Sequence, residues 1–184
     1  MMVEIRINRA PFLALWATVV ARRAGYGEDE ALSLGKAITG LTAQSKGQRL
    51  GMYTPRPEAE RASVRAEREA VAAEAIPFMG RTVPCLRTPE GLRALAGTAA
   101  IAPEGARKYL QSKFKENLAE VEGRLTALAA TFEPEEIEAE AMDVYMRLRP
   151  EVPAGKAGWG KAGDLDLGKI DALTEARRKR QRRG

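Results

Sequence analysis

The run from Ala10 to Ala21 constrains this chain more than any other segment. It reads Ala-Pro-Phe-Leu-Ala-Leu-Trp-Ala-Thr-Val-Val-Ala and carries no charge. It is much shorter than the roughly 20 apolar residues needed to span a bilayer. Asn8 is a good helix N-cap, and Pro11 suits an early helical turn. The pattern predicts a helix from about Arg9 to Arg23, apolar on most sides and central to the core. Arg6 and Arg9 resemble the charged start of a secretory signal. Arg22 and Arg23 close the run, however, and no small-x-small cleavage site follows, so secretion is not expected.

Around that helix the chain reads as follows. Val3, Ile5 and Ile7 alternate with Glu4 and Arg6, as in a short strand or an extended arm. Glu28, Asp29 and Glu30 favour the start of a second helix through its dipole, and Leu32, Leu34, Ile38 and Leu41 give it an apolar side up to about Ser45. Gly35 and Gly40 each cost a helix about 1 kcal/mol relative to alanine. Both are therefore expected to permit close packing against the first helix. Pro55 and Pro57 interrupt the chain, and Glu58 to Glu74 reads as an exposed helix. Phe78, Met79, Gly80, Arg81, Thr82, Val83 and Leu86 read as a β-hairpin with a glycine turn, and Pro84 puts its second strand at an edge. Thr88 and Pro89 predict a short helix ending near Gly97.

A longer helix is expected from Pro103, with Phe114, Leu118, Val121, Leu125, Leu128 and Phe132 in a heptad-like stripe. Pro134 opens another, with Ile137, Ala141, Val144, Tyr145 and Leu148 along one side. A glycine-rich loop from Lys156 to Gly163 surrounds Trp159. Asp164 or Asp166 then caps a final helix that uses Leu165, Leu167, Ile170 and Leu173. No repeat of 20 to 50 residues is present, which argues against a solenoid. The expected fold class is mainly α: a multi-helix bundle with one small β-hairpin. The expected division is an N-terminal helical pair over 1–54, a polar helix and hairpin over 55–87, a C-terminal helical region over 88–176, and a disordered basic tail over 177–184. These parts are also compatible with one compact domain, as a chain of 184 residues suggests.

Composition narrows the chemistry. The chain has no histidine, the commonest acid–base group and metal ligand. Within one chain this excludes a Ser-His-Asp triad, a Cys-His dyad and a typical zinc site. The single cysteine, Cys85, cannot form an intrachain disulfide, and a reducing compartment fits. No cofactor and no metal site are expected. The formal net charge is +5, with 30 basic and 25 acidic residues. Its location is informative. Without Arg177, Arg178, Lys179, Arg180, Arg182 and Arg183 the balance is 24 basic residues against 25 acidic, so the basicity belongs to the C-terminal end.

Five features are candidate sites. Gly155 to Lys161 matches a phosphate-binding loop, but Ala162 stands where serine or threonine should hold magnesium, and prolines precede it instead of a strand. A packed or flexible loop plugged by Trp159 is the plainer reading, with Lys156, Trp159 and Lys161 as candidate contacts. Cys85 lies between Arg81 and Arg87, yet reads better as a packed residue than as a reactive thiol. Glu133, Glu135, Glu136, Glu138 and Glu140 read as a solvated helix start. The Phe114–Phe132 stripe reads as the buried face of a bundle helix, with dimerisation as the alternative. The basic end, Arg177, Arg178, Lys179, Arg180, Arg182 and Arg183, suits phosphates, an acidic protein or anionic lipid.

The segments Ile7-Asn8-Arg9-Ala10-Pro11, Glu30-Ala31-Leu32-Ser33-Leu34-Gly35-Lys36-Ala37 and Lys156-Ala157-Gly158-Trp159-Gly160 resemble a family of uncharacterised bacterial proteins. The resemblance reaches to about Leu173 and leaves out the arginine-rich end. It implies a bacterial, cytoplasmic setting and brings no assigned activity or catalytic residues. The expected function is that of a non-enzymatic, nucleic-acid-associated binding protein acting through its basic end. A protein-interaction or homo-oligomeric scaffold is the alternative.

Overall fold

In the computed structural model, residues 4–49, 57–71, 74–153 and 159–184 are described. The elements run β1 (Glu4–Ile7), α1 (Arg9–Arg23), α2 (Glu28–Arg49), α3 (Glu58–Val71), β2 (Glu74–Phe78), β3 (Arg81–Thr88), β4 (Gly91–Ala96), β5 (Ala99–Ala100), α4 (Pro103–Phe114), a 3-10 turn (Lys115–Asn117), α5 (Leu118–Ala129), α6 (Ile137–Leu148), β6 (Gly163–Asp166) and α7 (Leu167–Arg183).

The uncharged run does what its composition demands. Every residue from Pro11 to Ala21 is buried, and α2, α4, α5 and α6 all pack on α1. Trp16 is fully enclosed, and its indole Nε1 donates to the Ala141 carbonyl of α6 at 2.9 Å. Asn8 stands at the N-cap position, but its side chain makes no capping bond there. Its Nδ2 instead donates to the Trp159 carbonyl at 3.1 Å.

Gly35 and Gly40 part company. A Cβ on Gly35 would lie 2.2 Å from Thr18 Oγ1 and 2.7 Å from the Ala14 carbonyl oxygen, so α1 and α2 approach closely only because that atom is missing. A Cβ on Gly40 would meet nothing within 4 Å. The close-packing expectation is met at Gly35 and corrected at Gly40.

The expectation of a bundle with one hairpin is also corrected, because two antiparallel sheets are present. One has the order β2-β3-β4-β5 and the other pairs β1 with β6, which makes this a mixed α/β fold. The hairpin is there, with Phe78 opposite Arg81 around Met79 and Gly80. It continues where a helix was expected. Thr88 pairs with Gly91 across a tight turn, and Gly91 has a φ of +121°, which favours glycine. Leu92, Arg93, Ala94 and Leu95 are all buried, so β4 is covered on both faces and shows no alternation. A short apolar run of this kind cannot be told from a buried helix by periodicity. β3 is consequently an inner strand rather than an edge. Pro84 is tolerated because the ladder with β4 begins only at Cys85.

β6 takes Leu165, which was expected in the final helix, into a strand instead. Leu165 pairs with Ile5, and Asp166 caps α7 by accepting from the Gly168 backbone N–H at 2.8 Å. The long helix expected from Pro103 is broken as well. Lys115 has a φ of +52°, which ends α4 and offsets α5. The stripe is thus shared between elements. Phe114, Val121, Leu125, Leu128 and Phe132 are all buried within the protomer.

α2 also closes an unfinished sheet edge. β5 pairs with β4 only at Leu95 and Ala96, leaving the outward N–H groups of Leu92 and Ala94 without strand partners. Glu30 Oε2 accepts from Leu92 N–H at 2.8 Å, and Ser33 Oγ accepts from Ala94 N–H at 3.1 Å. Glu30 Oε1 also accepts from the Gly27 N–H at 2.9 Å. These backbone bonds hold the Glu30 carboxyl below the usual range. Glu30→Ala is expected to cost about 2 kcal/mol in urea denaturation at neutral pH, because two donors lose a charged acceptor. A lowered folded-state pKa gives stability that is full above the unfolded value of about 4.3 and lost as pH falls through the folded one. The gap between wild type and variant should therefore close in acid. A constant gap from neutral to strongly acidic pH would refute this role of the charge.

No described helix is long and apolar enough to cross a membrane. α3 is exposed on its described side chains, but it spans Glu58–Val71 rather than reaching Glu74, which belongs to β2.

Candidate nucleic-acid interface

The basic end is not a loose tail in this fold. It forms the last two turns of α7, which begins at the Asp166 cap and buries Leu167, Ile170 and Thr174. α7 packs along α5. An Arg124–Asp171 ion pair reinforces that contact, and Lys169 pairs with Glu151.

The six cations of this end divide into two groups. Arg177 belongs to the fold. Its guanidinium carbon sits 3.4 Å from the centroid of the Phe132 ring. Its Nε donates to Thr131 Oγ1 at 2.9 Å and its Nη2 to the Thr131 carbonyl at 3.3 Å. Glu140 lies 3.7 Å away. Gln181 Nε2 donates to the same Thr131 carbonyl at 2.8 Å, and Arg23 donates twice to the Phe132 carbonyl. These three side chains satisfy carbonyls just past the end of α5, which no helical N–H reaches. Arg178 is the second engaged residue, paired with Glu175 at 2.9 Å one turn earlier on its own helix.

Lys179, Arg180, Arg182 and Arg183 form the other group. All four are exposed, and among the described residues none has an ion-pair partner. At about 100° per residue, Lys179, Arg182 and Arg183 point away from the face that carries Thr174, Arg177 and Gln181, and Arg180 lies to the side of that face. The result is a positive, solvent-facing surface at a helix C-terminus, where the dipole also favours cations.

The other expected contacts lie elsewhere. Lys156 falls outside the described residues. Trp159 is half-buried against the core, and Lys161 is exposed. This loop joins α7 through β6 at its N-terminal end, about 18–24 Å of helix away from the free cations. Gly160 and Lys161 lead into a strand, whereas a phosphate-binding loop leads into a helix. Cys85 is fully buried, and burial pushes its thiol up to about 11, so it carries no thiolate at neutral pH. Of the glutamate cluster, Glu140 faces Arg177, and burial raises the Glu138 carboxyl above its ordinary value. Among the described residues, no three acidic or cysteine side chains converge as metal ligands.

One concavity was missed by sequence reasoning. A cleft of about 550 Å³ lies between α2, the β4–β5 turn and the start of α4, and among the described residues Lys36 is its one charged lining residue. No motif marks it, because its lining comes from separate stretches of chain. Comparison of the chain with protein-family models, with curated proteins and with solved structures gave no match.

Proposed function

We propose that this is a non-enzymatic, nucleic-acid-associated binding protein that contacts phosphates through the free face of the α7 C-terminus. The observation that carries the reading is the division of the basic cluster. Arg177 and Arg178 have partners within the protein, while Lys179, Arg180, Arg182 and Arg183 are exposed along little more than one helical turn. Four cations over about 6 Å of helix axis suit the dense charge of a nucleic-acid backbone. The same reading puts the protein in a bacterial cytoplasm, in keeping with its family resemblance and its lone, buried Cys85.

The test is fluorescence anisotropy with duplex DNA and duplex RNA over a salt series. Four phosphate contacts should give a slope of log affinity against log salt of about −3.6 on B-DNA. The variant to compare carries Lys179→Gln, Arg180→Gln, Arg182→Gln and Arg183→Gln together. Its slope should fall toward zero while its melting temperature stays close to that of the wild type. Deleting everything after Ala176 is a poorer test, because it also removes Arg177 and Gln181 from the Thr131 carbonyl. Equal affinity and equal slope in the two proteins would overturn the proposal.

A further inference from the structure

The cleft between α2 and α4 has a lining that the fold does not require. Leu41, Leu95, Ile101 and Ala106 make it apolar, and its volume of about 550 Å³ falls in the range of small-molecule sites. Gly40 and Gly105 also line it, and a Cβ on either would meet nothing within 4 Å. Gly40 sits inside α2, where glycine is unfavourable, Gly105 lies in the first turn of α4, and no close approach of another element compensates at either. Each keeps space open.

The charge in the cleft wall is equally specific. The Lys36 ammonium lies 3.7 Å from the centroid of the Tyr109 ring, with the Lys113 ammonium 5.9 Å from the same ring. The aromatic face satisfies one side of the cation. Among the described residues no carboxylate pairs with it; burial and Lys113 both push its pKa down, so the charge is held at a cost. An anion arriving through the cleft would relieve both effects.

We propose that this cleft binds a small amphiphilic monocarboxylate, its apolar body against Leu41, Leu95 and Ile101 and its carboxylate at the Lys36 ammonium. The apolar part gains by leaving water, and the head gains a charge-assisted hydrogen bond to a partly desolvated donor. A neutral head gains only the first term. A cationic head is opposed by Lys36 and Lys113. The site is independent of the basic end of α7.

Calorimetric titration of the full chain with octanoate, octan-1-ol and octylamine tests this. Octanoate should bind roughly tenfold tighter than octan-1-ol, with octylamine weakest. Lys36→Met should lower octanoate affinity by about the same factor and leave octan-1-ol unchanged. Gly105→Leu should abolish binding of both while keeping or raising the melting temperature, which separates a blocked cleft from a damaged fold. Three results would overturn the proposal: no octanoate binding at millimolar concentration, equal octanoate affinity in wild type and Lys36→Met, or unchanged binding in Gly105→Leu.

Discussion

Replacing Gly35 by alanine is expected to destabilise the protein by about 3 kcal/mol, near the upper end of ordinary overpacking costs. In a chain of this length that lowers the melting temperature by about 6–12 °C. The new methyl carbon would stand 2.2 Å from Thr18 Oγ1, 2.7 Å from the Ala14 carbonyl oxygen and 3.0 Å from the Thr18 backbone nitrogen. The hydroxyl has nowhere to retreat, since it is buried and bonded to the Ala14 carbonyl at 2.8 Å. The backbone atoms yield only if α1 and α2 separate. Adding Thr18→Ala should therefore rescue part of the loss and no more. Gly40→Ala, five residues on, should act in the opposite direction. Its methyl group enters open space and removes the flexibility of glycine from the helix, raising stability by up to about 1 kcal/mol. Thermal unfolding followed by circular dichroism reads both. A Gly35→Ala protein melting at or above wild type would show that the helices have slack there.

Trp16→Ala should cost still more, about 4 kcal/mol, because it empties the largest fully buried side chain. The indole fills the space between α1 and α6, and its N–H reaches Ala141, so the loss combines a cavity with a broken link between helices. Trp16→Phe keeps much of the volume but not the donor and should lose about 1–2 kcal/mol. Urea denaturation followed by far-ultraviolet circular dichroism measures both and avoids the fluorescence change that accompanies removal of a tryptophan. A loss below about 1 kcal/mol for the alanine variant would contradict the central placement of α1.

α1 could be read from the sequence because a uniformly apolar helix needs no partner to be recognised. Gly35 was legible for a related reason, since a costly residue in a helix asks for compensation. The identical argument failed at Gly40, where the compensation is not packing. β4 was illegible because Leu92, Ala94 and Leu95 are good helix formers, and pairing with β3 overrides that preference. β6 was hidden because it is only four residues long and its partner strand lies at the other end of the chain. At the basic end, the charge could be counted, but its use could not. Arg177 and Arg180 look alike in sequence, and only the placement of Thr131, Phe132 and Glu140 makes one of them structural. Lys36 carried no signal at all, because Leu95, Ile101 and Gly105 must first be brought beside it.

The pairing of β1 with β6 has a consequence for synthesis. α1 leaves the ribosome ahead of the helices that cover it, and α2 follows at once to cover one side. The carbonyl that receives the Trp16 indole lies 125 residues downstream, and the strand that pairs with Ile5 comes later still. At about 5–20 residues per second, the remaining faces of an uncharged helix wait roughly 7–30 s for their cover. The β1–β6 pair can form only after every element between the two strands has been synthesised.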